Sequence, residues 1–414
     1  MNIAMISYHT CPLATLGGKD TGGMNVYVRE VTHYLGRRGV HVDVFTRSQD
    51  EHVPHVLHDL GYGNRVVHIP AGPEVPLPKP ELVNYLPQFV EGIRKFSTEK
   101  RIKYDLIYSH YWLSGIAADS LKKSWGIPVV HMFHTLGLMK NRIAQSPEEL
   151  EGEYRVNGER QVLQMADRII APTLAEEAQL YFLYHADVSK ITIIPPGVDT
   201  DHFYPIPPDE AREAIHLPVN ERMLLFVGRI EPLKGLDTLL RAIAHMRETG
   251  VYSQVPHYLA VVGGDPSATG ENLSSEMARL QTLCSELNLN DMVLFLGKRD
   301  QASLPYYYSA ADVLIMPSHY ESFGMVALEA MACGTPVVAS RVGGLAFLVA
   351  DGKTGFVFPD NDFINLSEKL TLLLTNPGLR DRLGQQAADY ARQYAWPNIV
   401  NRLLNTFTEV LCNQ

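Results

Sequence analysis

The sequence predicts an α/β protein of two doubly wound domains, each a parallel sheet flanked by helices, with the two domains facing a cleft. Three observations carry this. Short apolar runs bounded by turn residues alternate with amphipathic stretches along the chain. That series occurs twice, and a proline-rich stretch, ITIIPPGVDTDHFYP, separates the two rounds. The length of 414 residues exceeds what one core ordinarily organises.

In the first round, NIAMIS precedes a glycine loop and the helical MNVYVREVTHYLGRRG. VHVDVFTR, YDLIYSHYW, PVVHMFHT and RIIAPT follow as strands, and runs so continuously apolar read as parallel strands buried on both faces. Pro195, Pro196 and Gly197 break regular structure, and Pro205, Pro207 and Pro208 extend the break, so ITIIPPGVDTDHFYP is the expected linker. The second round runs MLLFVGRI, HYLAVVGG, VLFLGKR, VLIMPS, PVVAS and GFVFP, with LKGLDTLLRAIAHMRETG as its first helix. The expected division is 1–195 and 196–396, with the amphipathic tail helix, about 397–414, counted with the first domain.

The chain is 46% hydrophobic and 20% charged, the composition of a folded globular protein. A net charge of -10 argues against general affinity for nucleic acid or an anionic membrane. Cys11, Cys284, Cys333 and Cys412 show no metal or redox spacing and suit a reducing compartment. The opening MNIAMISY reads as a strand rather than a signal peptide, and no apolar run reaches membrane-spanning length, so a cytoplasmic location is expected.

Ligands of doubly wound sheets bind at the carboxyl ends of strands, which directs attention to four stretches. GGKDTGGMNVYV, Gly17 to Val28, has two glycine pairs that allow close backbone approach at a helix N-terminus; it lacks the dinucleotide spacing. FVGRIEPLKG places Arg229 at the end of a strand and Lys234 at the start of the next helix, two cations suited to a diphosphate, against the alternative of a solvated surface pair. In MPSHYESFGMVALEAMACGTPVVAS, Glu321 stands before a helix expected to begin at Ser322 to Gly324, and Glu329 lies about two turns in among apolar residues. A carboxylate beside a phosphate would repel it, so Glu321 suits sugar hydroxyls and Glu329 a vicinal diol; a surface salt bridge is the alternative for Glu329. In VVHMFHTLGLMKN, His131 reads as a core histidine, and His134 and Thr135 as cleft residues. Asp360 and Asp362 mimic a metal motif but sit in a turn-rich segment and read as a surface turn.

ESFGMVALEAMACGTPVVAS, with two glutamates separated by seven residues, resembles the donor-site signature of the retaining glycosyltransferases of family 4, which have the GT-B arrangement. FVGRIEPLKG, IPPGVD and GGKDTGGMNVYV resemble three more motifs of that family, in order along nearly the whole chain. The resemblance implies a metal-independent hexosyltransferase with a nucleotide-sugar donor, UDP-glucose for preference, and no further cofactor. It implies that Arg229 and Lys234 hold the diphosphate, Glu329 the ribose, and Glu321 the sugar. Phe323, Gly324 and Met325 would support sugar and phosphate by their backbone, Gly22 and Gly23 would approach the diphosphate, His134 would meet the transferred sugar, and Lys298 and Arg299 would flank the base. The glycine loop resembles two branches, sucrose-phosphate synthase and the mycothiol-pathway transferase, both with phosphorylated acceptors. Lys79, Tyr111, Thr135 and Arg155 resemble phosphate contacts of the second branch, and Asn25 matches it as well. The expected acceptor is fructose 6-phosphate; the alternatives are inositol 3-phosphate with a UDP-N-acetylglucosamine donor, or a non-catalytic nucleotide-sugar sensor.

Overall fold

A computed structural model describes residues 1–14, 21–144, 147–266 and 274–413. The chain divides into two units. One takes Met1–Ala14, the described residues up to Pro196, and the segment from Trp396; the other takes Gly197–Ala395.

The first unit holds β1 (Asn2–Ile6), β2 (His41–Arg47), β3 (Val56–Leu57), β4 (Arg65–Ile69), β5 (Leu106–His110), β6 (Val129–Met132), β7 (Arg168–Ala171) and β8 (Ile191–Ile193). They form one sheet in the order β3-β4-β2-β1-β5-β6-β7-β8, parallel except for the antiparallel β3–β4 pair. The centre is apolar on both faces, as a sheet covered by helices requires: Ile3 to Ile6 and Leu106 to Tyr108 are wholly buried. Two elements differ from the sequence reading. The β3–β4 flank went unassigned because β3 has only two residues, half-buried, after a polar loop. Residues 191–193, the start of the expected linker, instead add β8 to the sheet edge beside β7 before Pro195 ends it.

The helix Gly23–Gly36 buries Val26, Tyr27, Val31, Tyr34 and Leu35 at helical spacing and follows β1. The last helix, Trp396–Cys412, buries Trp396, Ile399, Val400, Leu403 and Phe407, and its Trp396 ring stands 5.7 Å from that of Tyr27. That apolar stripe is why the tail belongs to the first unit.

The second unit holds β9 (Arg222–Val227), β10 (His257–Val262), β11 (Val293–Gly297), β12 (Val313–Met316), β13 (Val337–Ser340) and β14 (Gly355–Phe358). Among the described residues they form a parallel sheet in the order β11-β10-β9-β12-β13-β14, so the order reverses between β9 and β12. Its amino edge is tied by Asp312, a buried carboxylate. It accepts from Arg212 Nη2 at 2.8 Å, Arg222 Nη1 at 3.2 Å and the Met223 amide at 2.8 Å, with Arg380 Nε at 3.3 Å. One side chain thereby joins the starts of β9 and β12 to the helices Pro208–Ala214 and Pro377–Ala391. Removing one member of a buried ionic cluster leaves the other charges uncompensated. Asp312→Ala is therefore expected to lower unfolding stability by about 3–5 kcal/mol, read as a fall in the urea midpoint. A loss under about 1 kcal/mol would mean that solvent or relaxation replaces the carboxylate.

Candidate active site

Arg229 and Lys234 follow β9, Arg299 follows β11 and Glu321 follows β12, all past the carboxyl ends of their strands. Glycines let the loops there touch backbone to backbone. A Cβ on Gly235 (φ 63°) would lie 2.0 Å from the Pro317 carbonyl oxygen, and one on Gly343 (φ 44°) 2.0 Å from that of Glu321. The Gly344 amide donates to the same Glu321 carbonyl at 2.8 Å. The loop after β13, Arg341–Gly344, thus fixes the segment that carries Glu321; sequence reasoning passed over it, although a glycine pair directly after a strand was its signal.

Lys234 ends a short turn, Pro232–Lys234, ahead of the helix Leu236–Glu248 rather than inside it, because Gly235 is left-handed. Its Nζ lies 2.6 Å from Glu321 Oε2, so two residues expected at different parts of a ligand form one ion pair. Arg229 Nη1 likewise meets Glu231 Oε1 at 2.8 Å. The next helix begins at Met325, not at Ser322: Gly324, at φ 104°, stands outside it as its cap. Phe323 is buried and Met325 half-buried. Glu329 is the fifth residue of that helix, just past one turn instead of two. It is buried and accepts from the Tyr308 hydroxyl at 2.7 Å. Burial first, and the Glu329 charge second, push the Tyr308 phenol well above its ordinary value, so it remains a donor. Arg299, just beyond β11, donates Nε to the Tyr307 hydroxyl at 2.6 Å.

The two aspartates have structural tasks. Asp362 caps the helix Phe363–Thr375 through the Asn365 amide, and Asp360 meets the His319 ring at 2.8 Å. The His319 amide in turn donates to the Leu233 carbonyl at 2.9 Å, joining the loops after β9 and β12. Among the described residues no three His, Cys, Asp or Glu side chains converge as a metal site.

In the first unit a second cluster gathers at the ends of β5 and β6. Tyr111 (φ 71°, ψ 152°) and His134 (φ 64°) adopt backbone conformations that a bulky side chain rarely holds, the kind of strain that collects at functional sites. The Arg155 guanidinium lies 5.0 Å and Lys79 Nζ 5.6 Å from the centre of the Tyr111 ring. Arg155 Nη2 donates to the carbonyl and Oγ1 of Thr135 at 3.1 and 3.0 Å. Lys79, Tyr111, Thr135 and Arg155, spread over more than seventy positions, therefore meet. Arg155 is 1% exposed and pairs with Glu159 on its own helix, Glu153–Met165, at 2.9 Å and with Glu151 just ahead of that helix at 2.6 Å. Glu159, wholly buried, is held by the Gly137 amide at 2.9 Å and by the Tyr184 hydroxyl. Lys79 opens a short helix, Lys79–Leu82. The loop before it is pinned by Arg47, fully buried, which donates to the carbonyls of Ala71 at 2.9 Å, Val75 at 3.0 Å and Pro73.

Asn25 spends its side chain on the loop: it accepts from the Gly22 amide at 2.9 Å and donates to Thr10 Oγ1 and the Cys11 carbonyl, both at 2.7 Å. Gly22 and Gly23 thus open the helix Gly23–Gly36; the earlier glycine pair, Gly17 and Gly18, lies outside the described residues. His134 Nε2 faces His110 Nδ1 at 3.1 Å, and the Tyr27 ring meets both edge-on. His131 is buried and paired with Ser109 Oγ at 2.8 Å, as a core histidine should be.

Two α/β units with their charged side chains at strand carboxyl ends define a glycosyltransferase of the GT-B fold. Residues 21–202 match glycosyltransferase family 4 and residues 208–390 match the glycosyl transferases group 1, and the chain belongs to this family. A D-inositol 3-phosphate glycosyltransferase of Thermomonospora curvata is 42% identical over 98% of this chain and 95% of its own length. The corresponding protein of Actinosynnema mirum is 41% identical over 98% of this chain and 96% of its own. A solved structure of sucrose-phosphate synthase from Thermosynechococcus elongatus superposes with a TM-score of 0.90 at 35% identity over the whole of both chains.

Burial holds the His134 ring at about 3, and burial likewise keeps His110 and His131 well below their ordinary value near 6.5. A histidine depressed in the folded state stabilises above its unfolded value and loses that contribution as pH falls toward the folded one. Stability should therefore decline below pH 6.5 by about 1.4 kcal/mol per pH unit for His134 alone. His134→Gln should reduce the stability difference between pH 7 and 5.5 by about 1.2 kcal/mol in urea titrations; an unchanged difference would place the acid sensitivity elsewhere.

Proposed function

We propose that this protein is a retaining glycosyltransferase that moves a hexosyl group from a uridine diphosphate sugar to a phosphorylated acceptor. The observation that carries the acceptor half is the meeting of Lys79, Tyr111, Thr135 and Arg155, which offers two cations, an aromatic ring and a hydroxyl to one anion. Donor binding falls to the second unit: Arg229 and Lys234 for the diphosphate, Glu329 for the ribose, Glu321 for the sugar, the backbone of Phe323 to Met325 for both, and Arg299 beside the base. The Lys234–Glu321 pair suits this reading, since the carboxylate orients the ammonium while keeping an oxygen for a sugar hydroxyl. Gly22 and Gly23 approach the diphosphate, and neutral His134 meets the transferred sugar.

No side chain in these clusters is placed as an obvious nucleophile, so front-face attack is the preferred route. The acceptor oxygen bonds to the anomeric carbon as the bond to the diphosphate breaks on the same face. The departing diphosphate oxygen takes the acceptor's proton, and Arg229 and Lys234 stabilise the charge that develops there.

For the acceptor, the support favours inositol 3-phosphate over the fructose 6-phosphate expected from sequence. Relatives at 41–42% identity carry the D-inositol 3-phosphate name, whereas the sucrose-phosphate synthase structure is 35% identical. The closeness of that structure, TM-score 0.90, keeps sucrose phosphate synthesis as the second reading. A product assay crossing UDP-glucose and UDP-N-acetylglucosamine with both phosphorylated acceptors and their unphosphorylated forms decides between them. UDP release with neither phosphorylated acceptor would defeat both.

Lys234→Ala should reduce turnover by about two to three decades with the fold intact, as loss of a transition-state charge contact does. Free UDP binding measured calorimetrically should be weakened by Glu329→Ala and spared by Glu321→Ala, and the opposite order would reverse the two assignments. Activity is expected to persist in excess chelator, cations of the protein standing where a metal would otherwise neutralise the diphosphate. Inactivation in chelator that magnesium or manganese restores would overturn that.

A further inference from the structure

The cation cluster of the first unit already contains an anion. Glu151 Oε1 lies 2.6 Å from Arg155 Nη1 and 2.8 Å from Lys140 Nζ, with Arg155 and Lys79 both over the ring of Tyr111. Glu151 is not there by chance of rotamer alone. Its amide donates to Asn141 Oδ1 at 2.6 Å and its carbonyl accepts from Asn141 Nδ2 at 3.1 Å, so both ends of its peptide unit are clamped to the helix Gly137–Ile143. Unlike Glu159, which is wholly buried and closed off by Gly137 and Tyr184, Glu151 keeps a fifth of its side chain exposed and can turn outward.

We infer that Glu151 is an internal counter-anion that occupies the phosphate position of the acceptor site and is displaced when a phosphorylated acceptor binds. The inference rests on the reading of Lys79, Tyr111, Thr135 and Arg155 as an anion site. Its chemistry is a competition. One carboxylate oxygen bridges Arg155 and Lys140, and a phosphate dianion offers more charge and three terminal oxygens to the same donors. A neutral acceptor offers nothing that compensates for breaking the two ion pairs, so Glu151 stays and keeps the place filled. Burial works against the Glu151 charge, but the pull of Arg155, with Lys140 and Lys79, outweighs it and holds the carboxyl below its ordinary value, so the counter-anion is charged at neutral pH. Glu151 thereby sets the selection for phosphorylated over unphosphorylated acceptors and holds down affinity for any single small anion.

The test is calorimetric titration of the full chain with inorganic phosphate. Glu151→Gln keeps the size and the backbone clamp but removes the charge, and should tighten phosphate binding by about tenfold or more, from the wild-type value or from none detectable. Glu151→Asp, still charged, should stay near wild type. Glu151→Ser serves as the second neutral variant should the glutamine form fold poorly, with the thermal transition as the check on folding. Phosphate binding that is unchanged or weaker in both neutral variants overturns the inference, since Glu151 would then be a scaffold for Arg155 and not its competitor. Lys79→Ala separates this from the underlying reading. If Lys79→Ala weakens phosphate binding while the neutral variants do not tighten it, only the role of Glu151 falls. If Lys79→Ala has no effect and the neutral variants bind as wild type does, the anion site itself falls and Glu151 with it.

Discussion

Backbone-to-backbone contact among the loops at the carboxyl edge of the second sheet sets where Arg229, Lys234 and Glu321 stand. Gly235 against Pro317 and Gly343 against Glu321 leave no room for a Cβ, and Gly263 against Gly228 is of the same kind, its Cβ position 1.9 Å from the Gly228 carbonyl oxygen. Four loops, those after β10, β9, β12 and β13, are thereby stacked without side chains between them. A salt bridge such as Lys234–Glu321 follows from that stacking rather than causing it: the ammonium and carboxylate meet because their backbones already do. Long cationic side chains ordinarily lose much rotamer freedom on being held, and short rigid loops with fixed carboxylate partners reduce that loss before any ligand arrives.

The first unit solves a different problem, the burial of charge. Arg155 and Arg47 are both nearly inaccessible, which is tolerable only with full hydrogen bonding. Each is satisfied differently. Arg155 faces two carboxylates, a carbonyl and a hydroxyl, and so lies in a polar network whose balance a ligand can alter. Arg47 faces carbonyls alone and so serves to shape a loop. The histidines add a third solution, in which burial simply keeps the rings neutral.

Much of this was legible in the sequence wherever a run was apolar on both faces or a charge stood just past a strand. Every strand from VHVDVFTR to GFVFP outside the β3–β4 flank and β8 announced itself by its apolar run, because parallel strands buried twice have no polar face to confuse the pattern. Arg229, Lys234, Glu321 and Glu329 stood out by position. What failed was local: Gly324 was taken into a helix because composition cannot show a left-handed φ, and ITI was taken into the linker because three residues before two prolines carry almost no periodicity. That Glu151, Glu159 and Lys140 join one network around Arg155 was not legible, for a deeper reason. On a helix, glutamate four residues from arginine is the ordinary surface pattern, and only the packing of Gly137, Tyr184 and Tyr111 turns it into a buried network.

Arg47 has one more implication. The stretch it holds, Ala71 to Val75, continues through Pro76 and Pro78 to Lys79, so the segment is fixed at its start by one guanidinium and along its length by pyrrolidine rings. Such a segment arrives at its encounter with a ligand already ordered. If Lys79 meets the acceptor as proposed, selectivity gained there comes without the slow step of loop closure, and Lys79 is a fixed boundary stone around which other residues, not the loop, must move.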